Sequence, residues 1–152
     1  MAQIKCFFDG IEDFDKPFTY YSEKYTIDGV LTTRCYHYTH NEGDCKYYNL
    51  HRDDGPALIY FYADGNIREE YWYNHNKKHR DNGPAYIFYC VKGNIETAAW
   101  YKDNKLHRDD GPARLIYHYP PQYQDAFVKE WYLNGKMIDP PDDIIMIKAC
   151  RE

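Results

Sequence analysis

A seven-residue segment of this chain occurs three times at a fixed spacing. His-Arg-Asp-Asp-Gly-Pro-Ala at 51–57 returns as His-Arg-Asp-Asn-Gly-Pro-Ala at 79–85 and as His-Arg-Asp-Asp-Gly-Pro-Ala at 107–113, 28 residues further on each time. A fixed period of this length is typical of repeat architectures, in which each unit buries its apolar face against its neighbours. The chain is therefore predicted to be a tandem array of similar units.

The similarity between units extends beyond the heptapeptide. Gly65 and Trp72 recur 28 residues later as Gly93 and Trp100. The next Trp-Tyr pair begins at Trp131, 31 residues after Trp100. Three extra residues are therefore present, and the Pro-Pro turn after the third heptapeptide is where added length costs least.

The first unit carries a longer insertion. Gly29 and Tyr36 have the same spacing as Gly65 and Trp72, but the distance from Gly29 to the next heptapeptide is eight residues longer than that from Gly65. The sequence thus predicts about four units.

The repeats are assigned to residues 21–138, with a cap segment at 1–20 and a second cap at 139–152. Repeat arrays need such caps because their end units have no neighbour on one side. Pro-Pro-Asp-Asp at 140–143 precedes an isoleucine-rich run, and we favour a short capping helix there, although the isoleucines also suit a strand.

Each unit has the pattern of a β-hairpin. Residues 56–62 are aromatic and β-branched, residues 64–66 form a turn, and residues 67–73 are strand-like again. A second turn recurs with residue types that tolerate positive φ, which indicates one left-handed position in each unit. The residues at that position are Asn76, Asn104 and Gly135. The predicted fold class is all-β: tandem antiparallel hairpins that form one elongated sheet.

Composition excludes several classes of function. The net charge is −5 and no run of basic residues is present, so binding to nucleic acid or to an anionic membrane is not expected. No segment is apolar enough for a signal peptide or a transmembrane span. The five cysteines are odd in number and lack a CxxC pair, which favours reduced thiols and an intracellular location.

The hairpin sequences resemble the MORN-type repeat family. Trp-Tyr-Leu-Asn-Gly-Lys at 131–136 and Trp-Tyr-Lys-Asp-Asn-Lys-Leu-His at 100–107 match the core of that repeat, after which Arg-Asp-Asp-Gly-Pro-Ala replaces the family's usual glycines. The His-Arg-x-x-Gly-Pro-Ala variant is similar to repeats in proteins of giant amoebal DNA viruses of the marseillevirus-like group. The resemblance covers about residues 25–138. It implies a β-hairpin fold and a scaffold or adaptor role with self-association, in the host cytoplasm or virus factory.

The polar residues of the heptapeptide are predicted to stabilise each unit rather than to catalyse a reaction. An active site needs one constellation in one place, whereas these groups recur in three successive units, where an Arg-Asp pair and a histidine hydrogen bond could fix the turn. No enzymatic activity is therefore expected. The residues assigned this repeat-structural role are His51, Arg52, Asp53, Gly55, His79, Arg80, Asp81, Gly83, His107, Arg108, Asp109 and Gly111, together with Trp72, Trp100 and Trp131.

The two faces of the sheet carry the functional prediction. Strand alternation places Ile59, Ile87 and Leu115 on one face, yet the opposite face is also rich in aromatic side chains. An exposed apolar face of a one-layer sheet calls for a partner unless the termini fold over it, and packing against a second copy is the simplest solution. We therefore expect protein–protein association, as a homodimer. The predicted partner or dimer face consists of Leu58, Tyr60, Tyr62, Tyr86, Phe88 and Ile116.

Two alternatives remain open. Cys35, His37, His40 and Cys45 could complete a tetrahedral zinc site, although their spacing matches no standard zinc pattern, and no cofactor is expected otherwise. An antitoxin-like module that occludes one partner is the other alternative, since relatives of the repeat include such proteins and since one tight binder would distinguish it from a scaffold.

Overall fold

The computed structural model describes residues 3–7, 19–38, 49–117 and 128–141. The regular elements in these ranges are all β-strands. In chain order they are β1 (Gln3–Phe7), β2 (Thr19–Tyr25), β3 (Leu31–Tyr38), β4 (Asn49–Leu50), β5 (Leu58–Phe61), β6 (Ile67–Tyr71), β7 (Tyr73–Asn74), β8 (Lys77–Lys78), β9 (Tyr86–Tyr89), β10 (Ile95–Ala99), β11 (Tyr101–Lys102), β12 (Lys105–Leu106), β13 (Arg114–Ile116), β14 (Val128–Leu133) and β15 (Lys136–Ile138).

The described strands form one large antiparallel sheet. Its strand order is β1-β2-β3-β5-β6-β9-β10-β13-β14-β15, with β4 paired to β3, and two short ribbons, β7–β8 and β11–β12, accompany it. Strands that follow one another in the sheet pair antiparallel, as short hairpin connections require. The predicted all-β fold of antiparallel hairpins is confirmed.

The turn between the two long strands of a unit has the same geometry in three units. The Tyr62 N–H donates to the Asn66 carbonyl at 2.8 Å, the Gly65 N–H donates to the Tyr62 carbonyl at 3.0 Å, and Gly65 has a φ of 88°. This is a type I turn closed by a left-handed glycine, a common three-residue hairpin loop. Gly29 and Gly93 have φ values of 81° and 82° and equivalent bonds, which confirms the alignment of the first unit.

The second turn of each unit is a two-residue loop with two left-handed residues in succession. Asn76, Asn104 and Gly135 have φ values of 64°, 66° and 82°, and the residue before each also has a positive φ. Two successive positive φ values define the type I′ turn, whose twist matches that of a β-hairpin. The predicted left-handed position is confirmed in all three.

The predicted strand 67–73 is interrupted at Trp72. β6 ends at Tyr71 and β7 begins at Tyr73. The Trp72 N–H donates to the Ala85 carbonyl at 2.8 Å, and the Trp72 carbonyl accepts from the His79 N–H at 3.1 Å. The chain therefore changes hydrogen-bond partner at the tryptophan, from the neighbouring long strand to its own short ribbon.

The most deeply buried positions recur with the repeat. Ala57, Ala85 and Ala113, the last residues of the three heptapeptides, have no exposed surface. Ile59 and Ile87, two residues further on, are 6% and 7% exposed. Because the alanines are fully enclosed, a larger side chain at that position would displace packed neighbours.

Several sequence predictions fall on residues that the structure does not describe. These are residues 39–48, which include part of the first unit's insertion, the turn region 119–122, and the proposed capping helix beyond Pro141. Of the first cap segment, Gln3–Phe7 is placed as β1, paired with β2. Within the described ranges, no helix is long and apolar enough to cross a bilayer.

Candidate partner-binding face

The strand register places five of the six predicted partner residues on one face of the sheet, and Tyr62 directly follows β5. Leu58 pairs across β6 with Tyr71, which in turn pairs with Tyr86 on β9. One step along the strands, a second row crosses the sheet through Tyr60, Glu69, Phe88, Thr97 and Ile116. All six predicted residues, Leu58, Tyr60, Tyr62, Tyr86, Phe88 and Ile116, are half-buried. We call this surface the tyrosine face.

Tyr71 lies at the centre of the tyrosine face, and the sequence prediction missed it. Its ring centroid is 4.8 Å from that of Tyr86, 6.0 Å from that of Tyr60 and 6.4 Å from that of Tyr73. The alternation of 67–73 could have identified Tyr71, because a residue opposite Leu58 and Tyr86 must share their face. The prediction considered only the first strand of each unit.

Charged groups on this face are embedded among the rings. The Tyr71 hydroxyl donates to Glu69 Oε2 at 2.6 Å, and burial together with this bond raises the pKa of Tyr71. The Lys78 ammonium lies 5.0 Å from the Tyr71 ring centroid and 5.2 Å from that of Tyr101, and burial lowers its pKa. These cation–π contacts stabilise the charge of the half-buried Lys78. The Tyr71 phenol therefore remains protonated at neutral pH.

On the opposite face of the sheet, the apolar side chains of Ile59 and Ile87 are more deeply buried than the tyrosine-face residues. This face also holds an ionic network around Glu23. Arg34 Nε donates to Glu23 Oε1 at 2.7 Å, and the Tyr25 hydroxyl also donates to Glu23. Burial opposes ionisation of Glu23, but these hydrogen bonds outweigh it and lower its pKa.

The histidine of each heptapeptide joins two parts of the chain. His79 Nε2 lies 3.1 Å from Asp81 Oδ1, while His79 Nδ1 accepts the Asp103 N–H at 3.4 Å. His107 has the same arrangement with Asp109 Oδ2 at 3.3 Å and the Asn134 N–H at 3.2 Å. Each imidazole thus lies between the carboxylate of its own heptapeptide and the backbone N–H of the following turn. The histidine side chain therefore ties its own corner to the turn of the next unit.

The first junction differs from the other two. His51 Nε2 lies 3.3 Å from Asp53 Oδ1, but a histidine, His75, occupies the place of Asp103 and Asn134. The two imidazole rings stack, with centroids 4.2 Å apart. Ring stacking thus replaces the backbone hydrogen bond that the later junctions make.

The arginine of each heptapeptide stacks on the aromatic residue of the same unit. The guanidinium carbons of Arg52, Arg80 and Arg108 lie 4.1, 3.6 and 4.1 Å from ring centroids. The rings are those of Tyr36, Trp72 and Trp100. The heptapeptide glycine lies against the guanidinium, where an added Cβ would approach its carbon to 2.7 Å at Gly55, 3.2 Å at Gly83 and 3.0 Å at Gly111.

An Arg-Asp pair forms in two of the three corners, but not with the predicted aspartates. Asp53, Asp81 and Asp109 lie beside the histidines instead. Arg52 Nε and Arg108 Nε each lie 2.7 Å from the fourth residue of their heptapeptide, Asp54 and Asp110. That residue is Asn82 in the second unit, where Arg80 instead donates to the Pro84 carbonyl at 3.2 Å. The ion pair is therefore not needed for the arginine to hold its place on the ring.

The candidate metal ligands are only partly described. Cys35 and His37 lie on one face of β3, and Ser22 on β2 pairs with Cys35. Ser22 Oγ is also 2.9 Å from His37 Nε2. His40 and Cys45 lie outside the described residues, and among the described ones no three His, Cys, Asp or Glu side chains are grouped to hold a metal ion. The zinc site stays a prediction.

Comparison of the chain with models of protein families, with curated proteins and with solved structures gives no match.

Proposed function

We propose that this protein is a non-enzymatic repeat scaffold or adaptor that associates with other proteins, first of all with a second copy of itself, through the tyrosine face. The observation that carries the proposal is the gathering of Leu58, Tyr60, Tyr86, Phe88 and Ile116 on one face of a sheet. These five side chains are half-buried, so the described residues leave part of this face exposed.

The composition of the face suits protein recognition. Tyrosine and phenylalanine are enriched at protein interfaces because they bury a large area at a low cost in conformational entropy. The hydroxyl groups and the Glu69 and Lys78 charges among the rings supply polar contacts around this apolar surface. Two such faces packed together would resemble the interior of a β-sandwich.

The chemistry of the corners supports a non-enzymatic role. Each histidine and arginine there is held by contacts that recur from unit to unit, as at His79 and His107. We extend the proposal to an intracellular viral setting because of the resemblance of the heptapeptide to repeats of giant amoebal viruses.

Sedimentation velocity over a range of concentrations tests the proposal. We expect the wild-type chain to sediment as a dimer, and the triple variant Tyr60→Ser, Phe88→Ser, Ile116→Ser to sediment as a monomer. Circular dichroism and thermal unfolding would establish that the variant is folded. A wild-type monomer throughout, or a folded triple variant that still dimerises, would contradict self-association through this face.

A matched control removes apolar surface elsewhere. Ile27 and Val91 are 78% and 63% exposed at hairpin turns, away from the tyrosine face. The double variant Ile27→Ser, Val91→Ser should dimerise as the wild type does. Loss of the dimer in this control as well would point to nonspecific apolar contacts.

A further inference from the structure

Each short ribbon is fastened to the preceding unit by the asparagine at its turn. The Asn76 N–H donates to the Leu50 carbonyl at 2.9 Å, and the Leu50 N–H donates to Asn76 Oδ1 at 2.7 Å. The next ribbon repeats both bonds, with Asn104 N–H to the Lys78 carbonyl at 3.0 Å and Lys78 N–H to Asn104 Oδ1 at 2.7 Å. We call this reciprocal pair the asparagine staple.

The third junction keeps only half of the staple. The Gly135 N–H donates to the Leu106 carbonyl at 2.8 Å, but glycine has no amide oxygen to accept from Leu106. The recurring receptor for a turn is therefore a strand residue whose N–H and C=O both point away from its own hairpin. The side chain of this strand residue differs between units, so the turn recognises its backbone groups and not its side chain.

The last hairpin presents the same receptor. Tyr132 pairs with Met137, as Tyr101 pairs with Leu106 and Tyr73 with Lys78. Because the register is the same, the N–H and C=O of Met137 point away from β14. Lys78 and Leu106 are half-buried beneath the turn of the following unit, whereas Met137 is 66% exposed.

We propose that the outer edge of β15, centred on Met137, is a docking site for a β-hairpin of another protein, one that carries asparagine at the left-handed position of a type I′ turn. The occupant follows from continuity with the junctions inside the chain, where such a turn fills this receptor. Among the described residues, the type I′ turns at Asn76, Asn104 and Gly135 are engaged within their own chain, so these three turns are not available to fill the receptor of a second copy. The site is distinct from the tyrosine face and does not depend on self-association.

Asparagine is the residue that this receptor selects. It supplies an N–H for the Met137 carbonyl and an amide oxygen for the Met137 N–H, and it tolerates positive φ. A glycine turn would make one of the two bonds, as at Gly135. An alanine turn would also make only one and would be strained in the left-handed region.

Titration of the full ¹⁵N-labelled chain with a cyclised hairpin peptide, followed by NMR, tests the proposal. The peptide reproduces Tyr-Lys-Asp-Asn-Lys-Leu from residues 101–106 and is closed by D-Pro-Gly. We expect saturable shift changes at Lys136–Ile138, with a Kd of about 1 mM, as befits a single small contact. The same peptide with alanine for its asparagine should bind at least about fivefold more weakly.

Two variants of the protein complete the design. Met137→Pro removes the N–H but keeps the carbonyl, and should weaken binding at least about fivefold, as the alanine peptide does. Met137→Lys, which copies Lys78, should bind as the wild type does. Absence of saturable changes at Lys136–Ile138, or equal binding of the asparagine and alanine peptides, would overturn the proposal. The peptide comparison remains decisive if Met137→Pro disturbs the hairpin.

Discussion

At the scale of single residues, the heptapeptide is built around one guanidinium. Arg52 stacks on Tyr36 and pairs with Asp54, and Gly55 lies against its other side. The proline that follows the glycine cannot donate to a ladder and favours an extended residue before it. The alanine that ends the segment is fully buried. The sequence identified the recurring residues, but the stacking became visible only in three dimensions, because the aromatic partner lies 16 residues before Arg52 in the first unit and eight before the arginine in the others.

Substitution of Gly55 by alanine should destabilise the protein through Arg52. The new Cβ would come within 2.7 Å of the guanidinium carbon and displace it from the Tyr36 ring. Loss of the cation–π contact and of a partly exposed ion pair predicts a decrease of about 1–2 kcal/mol in the free energy of unfolding. Urea denaturation of Gly55→Ala in the wild-type and Arg52→Ala backgrounds measures the energetic coupling between Gly55 and Arg52. The loss of stability caused by Gly55→Ala should largely disappear in the Arg52→Ala background.

Gly83 provides the control for this cycle. Its φ is 128°, so an alanine there is strained by the backbone as well as by Arg80. Gly83→Ala should therefore remain destabilising by about 1 kcal/mol or more in an Arg80→Ala background. Equal costs of Gly55→Ala with and without Arg52 would show that the guanidinium is not what excludes the side chain.

His37 should make the protein less stable in acid. It is 2% exposed, and burial lowers its pKa from 6.5 to about 4. Because the unfolded chain takes up the proton more readily, stability is full above pH 6.5 and falls as the pH drops toward 4, by roughly 3 kcal/mol from this residue. Urea unfolding at pH 8 and pH 4 gives the decrease in the free energy of unfolding between the two pH values. This decrease should be smaller in His37→Gln than in the wild type by roughly 3 kcal/mol. If the stabilities of the wild type and of His37→Gln fell equally with pH, His37 would not be the source of the acid sensitivity.

At the scale of elements, turn chemistry was predictable and the path of the strands was only partly so. Gly65 and Asn76 are residues whose backbone preferences are local, and their positive φ values follow from the sequence. The interruption at Trp72 depends on its bonds with Ala85 and His79, which lie in the next heptapeptide. Alternation within the first strand of each unit also gave the tyrosine face, but Tyr71 was omitted because the second strand was not assigned to a face.

Asn104 should stabilise the protein by more than its preference for the turn conformation alone, because its side chain also makes the staple hydrogen bond. Asn104→Ala removes the amide oxygen that accepts from the Lys78 N–H and places a Cβ residue in the left-handed region. We expect a loss of about 2 kcal/mol, half from the hydrogen bond and half from backbone strain. Asn104→Gly should lose only the hydrogen-bond part, about 1 kcal/mol or less. Thermal and urea unfolding of both variants tests this. A glycine variant as stable as the wild type would mean that the staple bond contributes nothing, and equal losses in the two variants would mean that backbone strain contributes nothing.

At the scale of the whole molecule, the array behaves as a chain of neighbouring junctions. Repeat proteins owe their stability to such nearest-neighbour contacts, so a weaker junction opens separately from a stronger one. The junctions at Asn76 and Asn104 have both staple bonds, whereas that at Gly135 has one. Stability should therefore be graded along the sheet, and the exposed outer edge of β15 lies at its weaker end.

Native-state hydrogen exchange should reveal this gradient. The missing bond predicts that the amide of Lys136 exchanges at least about fivefold faster than that of Lys105, which closes the preceding hairpin at the equivalent position. Gly135→Asn would restore the staple, since an added Cβ lies no closer than 3.5 Å to the Lys105 side chain. It should slow exchange at Lys136–Ile138 and protect the Leu106 amide.

Gly135→Ala is the matched control for that variant. It adds the same Cβ in the same left-handed conformation but no amide oxygen, so exchange at Lys136–Ile138 should become faster than in the wild type. Equal exchange rates in the asparagine and alanine variants would show that the half-staple does not limit the last junction. Slower exchange in the asparagine variant alone would establish that one hydrogen bond at the turn sets how firmly the terminal hairpin is held to the array.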